Sequence, residues 1–345
     1  MGKSRILKSE INIMEVCGTH SEVISKYAIR QLYKDKVKFT SGPGCPVCVI
    51  SPEDIDLIVE YARNDIIIAT FGDLVRVSGT KSSLIMERTY GRTIKTVYSP
   101  LESLDIAKVN PTKQVVFIGI GFETTVPLVA LTIMKAKEQG IKNFSVLSLH
   151  RTMPAILRTL LKSNVKIDGL LLPGHVCAIT GSKPFNFVSD VYGISGVVSG
   201  FLPKDVMQSI DMIIRDIDRP SVDIQYKRVV TPSGNIVAQK VIKNVFEPCD
   251  ISWRGFGIVP KSGLSIKKEW RFFDARNRWH IKIPFTHERK DSQGGCRCGD
   301  ILQGLARSQD CSLFKAICSP DKPFGPCMVS SEGPCAIFYK YGGLK

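Results

Sequence analysis

Eight short runs of apolar and β-branched residues punctuate the first two-thirds of the chain. They are residues 11–16 (INIMEV), 37–41 (VKFTS), 65–70 (DIIIAT), 93–99 (TIKTVYS), 114–120 (QVVFIGI), 143–149 (NFSVLSL), 168–173 (DGLLLP) and 194–200 (ISGVVSG). Between them lie stretches such as PEDIDLIVEYARN (52–64) and TVPLVALTIMKAKEQG (125–140), whose apolar positions recur at helical spacing. Fully apolar strands alternating with amphipathic helices predict an α/β fold of parallel sheets covered on both faces.

The turn-rich segment SPLESLDIAKVNPTK (99–113) divides the strands into two sets of four. We therefore expect two similar parallel-sheet α/β domains around a cleft, over residues 1–110 and 111–225. Beyond residue 225 the alternation fades into a Pro/Gly-punctuated region. It contains the charged amphipathic stretch SIKKEWRFFDARNRW (265–279) and then a cysteine-rich tail, read together as a helical extension and a small metal domain over 226–345. The tail has few long apolar runs, so a bound metal centre would supply stability that its small core lacks.

In an open parallel sheet, functional groups gather where the C-terminal ends of strands meet the following loops. Four such ends carry unusual residues. VCGTHSE places Cys17, His20 and Glu22 on one loop, combining a soft ligand, an imidazole and a carboxylate. GPGCPVCVISPED (42–54) holds Cys45 and Cys48 just ahead of a helix start, because Ser51 is a cap, Pro52 suits the first helical position and Asp54 falls three residues after the cap. The positive end of the helix favours thiolate there, and two intervening residues let the sulfurs meet. Redox or transient metal chemistry competes with an inert stiff loop. Structural zinc would need a second C-x-x-C, which the chain lacks.

GIGFETT (119–125) has Thr124 where the dinucleotide fingerprint needs its third glycine, and no acid follows about 20 residues on near Phe144. NAD binding is disfavoured. Glu123 remains as a positioned carboxylate, with plain dipole compensation as its bland role. LLPGHVCAITG (171–181) places His175 and Cys177 on an extended or turning segment that presents both on one side.

The chain has 11 cysteines. Besides Cys17, Cys45, Cys48, Cys177 and Cys249, they are Cys296, Cys298, Cys311, Cys318, Cys327 and Cys335, clustered in the tail. Cys296, Cys311, Cys318 and Cys335 supply four thiolates, enough for a cubane iron–sulfur cluster, with Cys298 and Cys327 as an extra pair. Spacing alone does not choose which four bind, and zinc is the runner-up metal. Such a cluster in a chain with no apparent leader points to metal or redox chemistry in the cytosol rather than to a disulfide framework.

The formal charge of +15 is dispersed rather than blocked, which suits a solvated surface. We expect no nucleic-acid binding and no membrane association.

Together, CGTH, GPGCPVC, GFETT, PGHV and the C-x14-C-x6-C-x16-C tail resemble the HypD family of hydrogenase maturation factors over nearly the whole chain. The resemblance implies two α/β domains flanking a cleft and a [4Fe-4S] domain. It further implies assembly of the Fe(CN)2CO group of [NiFe]-hydrogenases with a small HypC-like chaperone and a cyanide-supplying HypE-like partner, the chain acting as a monomer in a hetero-complex. On this resemblance Cys17 holds the iron and Cys45/Cys48 cycle to a disulfide. Cys296, Cys311, Cys318 and Cys335 ligate the cluster, and Cys298 with Cys327 forms a redox pair beside it. Glu123, Thr124, Thr125, His20 and His175 match cleft motifs, whereas Glu22 and Cys177 depart from the usual His and Ser. The rival reading is a thioredoxin-reductase-like iron–sulfur disulfide oxidoreductase, a class with no need of Cys17.

Overall fold

The structure, a computed structural model, describes residues 10–163, 165–281 and 295–342. The opening MGKSRILKS, part of the stretch read above for a missing leader, lies outside them. All eight expected strands are present: β1 (Ile11–Glu15), β2 (Val37–Ser41), β3 (Ile67–Thr70), β4 (Ile94–Thr96), β5 (Val115–Gly119), β6 (Phe144–Ser148), β7 (Gly169–Pro173) and β8 (Ser195–Ser199). A short β9 (Val222–Ile224) and a hairpin of β10 (Phe246–Trp253) and β11 (Gly257–Ile266) follow.

The fold is α/β with two parallel sheets, ordered β2-β1-β7-β8-β9 and β4-β3-β5-β6. Their membership corrects the expectation of two runs of four consecutive strands. After β2 the chain leaves the first sheet, builds the whole second sheet, and returns as β7 beside β1, with Ile13 opposite Gly169. Local features fix that return. The Asp168 carboxylate accepts the Asn12 N–H at 2.9 Å, and the Val16 N–H donates to the Leu171 carbonyl at 3.2 Å. The PGHV loop therefore belongs to the same sheet as Cys17 and the C-x-x-C loop, and only GFETT comes from the other.

The largest core lies between the sheets. It packs Met14, Val16, Leu170 and Leu172 of the first against Ile68, Val116, Ile118 and Leu147 of the second. Helices Pro52–Arg63 and Met153–Leu161 fill the space with Ile55, Ile58, Ile156 and Leu160. The stretch 265–279 is not one long helix. It opens as the end of β11, tightens into a 3-10 helix (Lys268–Phe273) and closes with Ala275–Arg278.

One buried ion pair joins these parts. The Arg151 guanidinium, following β6, donates to the Asp54 carboxylate at 2.6 Å on helix Pro52–Arg63, and also to the Ser252 carbonyl at 2.5 Å on the hairpin. The Arg151 side chain is 1% exposed and that of Asp54 12%. Removing one partner leaves a charge without compensation. Asp54→Ala is expected to cost about 3 kcal/mol, read as a lower urea midpoint. An unchanged midpoint would show that the pair does not hold the sheets together.

Candidate metal and thiol site

Cys17 leaves β1 as the N-cap of helix Gly18–Lys26. Two glycines bring other segments onto it. A Cβ on Gly44 would lie 1.9 Å from the Val16 carbonyl oxygen and 2.6 Å from Cys17 Cα, so the C-x-x-C loop runs against the Cys17 backbone. A Cβ on Gly18 would lie 2.3 Å from the Glu332 carbonyl oxygen, which brings in the tail. Burial, reinforced by the Glu332 carboxylate, pushes the Cys17 thiol up to about 11. At neutral pH it keeps its proton unless a metal displaces it.

The expected helix start after the thiol pair is present: Ser51 Oγ accepts the Asp54 N–H at 3.2 Å and Pro52 opens the helix. Cys45 and Cys48 form a disulfide with Cα atoms 5.2 Å apart, and both are buried. Cys48 Sγ lies 3.7 Å from the Pro326 carbonyl oxygen, so the disulfide sits against the tail segment that carries Cys327.

The two histidines occupy different settings. His20 is buried, with Nε2 3.1 Å from the Gly200 carbonyl and 3.3 Å from that of Ser199, so Nε2 carries the proton and donates. Burial lowers its pKa to about 4, and Nδ1 has no partner. His175 is exposed. Both rings stack on Phe201, with centroids at 4.9 Å for His20 and 3.8 Å for His175. The expectation that His175 and Cys177 share a side is corrected. They lie on helix Gly174–Thr180, where residues two apart diverge, and Cys177 points into the core. There it feels the charges of Glu123 and Cys17, in that order after burial, all raising its pKa.

Glu123 is buried ahead of helix Val126–Glu138 but serves another helix. Its Oε1 accepts the Met153 N–H at 3.0 Å at the start of Met153–Leu161, while Oε2 has no partner. Burial raises its pKa to about 7. Thr125 Oγ1 donates to the Ile120 and Phe122 carbonyls at 3.1 and 3.2 Å, shaping the turn. Glu22 ties the Cys17 helix to the tail by accepting the Tyr341 hydroxyl proton at 3.0 Å.

In the tail, Cys296, Cys298, Cys311, Cys318 and Cys335 line one cavity with Ile301, Leu313 and Phe314. Among the described residues no three His, Cys, Asp or Glu side chains converge as one bare ion would require. A four-iron cluster is larger and spaces its thiolates more widely. The donors fit such a group. The Phe324 N–H donates to Cys318 Sγ at 3.3 Å, a bond that a ligating thiolate accepts, and the Cys327 N–H donates to Cys298 Sγ at 3.2 Å beside it. Cys327 is buried beside Cys298 and does not line the cavity.

Sequence reasoning missed Glu332, Phe201 and Arg151. Phe201 and Arg151 each sit just past an apolar strand, at the kind of position that exposed His175. Glu332 carried no signal, because its role comes from where the tail folds back.

Protonation and backbone crowding here each lead to a measurable outcome. The unfolded Glu123 carboxyl ionises near 4.5 while the folded one stays protonated to about 7. Stability therefore falls as pH rises through that window. Glu123→Gln should be more stable than the parent at pH 8, by no more than about 3 kcal/mol, with the gap shrinking at pH 5. Equal urea midpoints at pH 8 would contradict this. As for crowding, a Cβ on Gly325 would lie 2.6 Å from Cys296 Sγ and 3.3 Å from Cys298 Sγ. Gly325→Ala should lose most of any iron and labile sulfide bound by the tail, measured by elemental assay.

The model of the family described as "Hydrogenase formation hypA family" (HypD) matches residues 2–342. The hydrogenase maturation factor HypD of Rhodobacter capsulatus is 40% identical over 340 residues, covering 97% of this chain and 90% of that protein. HypD of Cupriavidus necator is 41% identical over 346 residues, covering 97% and 90%. HypD of Escherichia coli K12 is 40% identical over 343 residues, covering 96% and 89%. With its cysteine loops, parallel sheets and thiol-lined tail, the chain belongs to the HypD family of hydrogenase maturation factors.

Proposed function

We propose that this maturation factor is the scaffold on which iron acquires cyanide and CO to become the Fe(CN)2CO group of a [NiFe]-hydrogenase, acting in the cytoplasm as a monomer in a hetero-complex. Its partners are a small HypC-like chaperone, which shares the iron, and a HypE-like cyanide donor. The observation that carries this reading is the buried Cys17 thiol, backed by the Cys45–Cys48 loop and the Glu332 segment, with Cys177 between it and Glu123 in electrostatic reach of both, and pushed up to about 11. A thiol so placed is a poor nucleophile towards free disulfides, whereas a ferrous ion displaces its proton and gains a soft ligand.

The neighbouring groups suit a cyanide-bearing cargo. Below its raised pKa of about 7, Glu123 holds a proton, and Oε2 has no partner among the described residues. A protonated carboxyl there donates a hydrogen bond to a cyanide nitrogen without adding negative charge to an anionic complex. Phe201 fixes the ring plane of His175 at the exposed side, where a partner brings its ligand. The Cys45–Cys48 disulfide takes up two electrons and two protons to give two thiols beside the iron site.

Cys296, Cys311, Cys318 and Cys335 would hold a [4Fe-4S] cluster, with Cys298 and Cys327 between it and the disulfide. When bound, that group supplies single electrons. The rival disulfide oxidoreductase is disfavoured because Cys45 and Cys48 are 1% and 0% exposed, which leaves a protein disulfide no approach.

Infrared spectroscopy of the chain purified with its small partner under reducing conditions tests the scaffold. Cyanide and CO stretching bands are expected in the parent and absent in Cys17→Ala, whose circular dichroism should be unchanged. Bands that survive in Cys17→Ala, or are missing from the parent, would sink the proposal.

A further inference from the structure

The turn between β10 and β11 carries Trp253, Arg254 and Gly255, and it is wedged between two sulfur-bearing parts. On one side it pairs with the strand-like exit of the C-x-x-C loop. Ile50 and Trp253 form an antiparallel bridge, the Arg254 N–H donates to the Val49 carbonyl at 2.9 Å, and Arg254 Nε donates to the Ile50 carbonyl at 3.0 Å. On the other side it abuts the helix Cys298–Leu302. A Cβ on Gly255 would lie 2.7 Å from Gly299 Cα, and Gln303 donates to the Gly255 carbonyl at 2.7 Å.

One guanidinium nitrogen, Arg254 Nη2, is buried with no acceptor among the described residues. An arginine is always charged, and a buried N–H without an acceptor costs about 1 to 3 kcal/mol. The turn that carries this charge packs against Gly299, the residue after Cys298, so the guanidinium stands on the side of the hairpin that faces the tail cysteines. A charged neighbour is the Arg151 cation, which repels it.

We infer that Arg254 is a positioning residue that sets the reduction potential of the tail's iron–sulfur centre, its buried cation favouring the more negative, reduced state from between the centre and the Cys45–Cys48 disulfide. The inference rests on the cluster reading above. Nε anchors the side chain to the C-x-x-C loop, so that the charge is held at the boundary an electron must cross. The same two bonds make the position of the loop sensitive to the hairpin.

The test is a redox titration of the reconstituted full chain, followed by visible absorbance and electron paramagnetic resonance. Arg254→Gln should shift the oxidised-to-reduced ratio at a fixed ambient potential about tenfold towards oxidised, equivalent to about 59 mV for a one-electron couple. Arg254→Lys, which keeps the charge but loses the Nε bond, should stay within about threefold of the parent. Gln303→Ala, which loosens the turn without touching the charge, should titrate like the parent.

An unshifted Arg254→Gln overturns the inference. So does an Arg254→Lys shift as large as that of Arg254→Gln, because the effect would then be structural. A parent chain that binds no iron and labile sulfide on reconstitution overturns the cluster reading and the inference together, and iron analysis separates that outcome from the other two.

Discussion

The helix behind the C-x-x-C loop, the second sheet and the hairpin meet at a single buried charge, the Arg151 guanidinium. Arginine cannot shed its proton to escape a dry site, so burial obliges the surroundings to supply acceptors. Asp54, the Leu149 carbonyl and the Ser252 carbonyl do so. Those acceptors belong to the helix behind the C-x-x-C loop, the end of β6 and the hairpin. The second sheet is thereby pinned to the loop that carries the disulfide, and the hairpin turn is brought within reach of both. An apolar contact would hold these elements together but leave them free to slide. A directional pair with three acceptors does not.

The central strands were legible because each is short and apolar on both faces, which suits a strand covered by helices on either side, and the edge strands β2 and β4 keep the β-branched residues but expose Lys38 and Lys95. Which strand pairs with which was not. β1 and β7 are separated by the whole second sheet, and their pairing is fixed by details such as the Asp168 carboxylate on the Asn12 N–H that leave no periodicity. The loop chemistry was legible for the same reason as the strands, because functional groups sit at their C-terminal ends. The hairpin escaped notice. Pro248 interrupts β10, Gly257 and Gly263 thin β11, and a register shift between Cys249 and Ile251 breaks the alternation that marks a half-buried strand.

Within the site, the sequence named the residue types but not their protonation. Cys17 and His20 share one loop in the sequence, and burial pushes the thiol up to about 11 and the imidazole down to about 4. Both are then neutral at pH 7. Desolvation is the largest cause for both groups, and His20 donates its Nε2 proton to backbone carbonyls rather than to the sulfur. Tertiary burial decides that balance, and it cannot be counted from spacing.

The same dryness gives the arrangement its direction. Below pH 7 Cys17, Glu123 and Cys177 keep their protons in the folded chain, so these groups carry little charge. On the proposed reading, a ferrous ion would release the Cys17 proton and turn a costly buried thiol into a paired thiolate. A cyanide ligand would then carry negative charge at its nitrogen, where a protonated Glu123 would donate. Under that proposal each component would offset part of the desolvation of the one before, so the site would favour a finished group over bare iron.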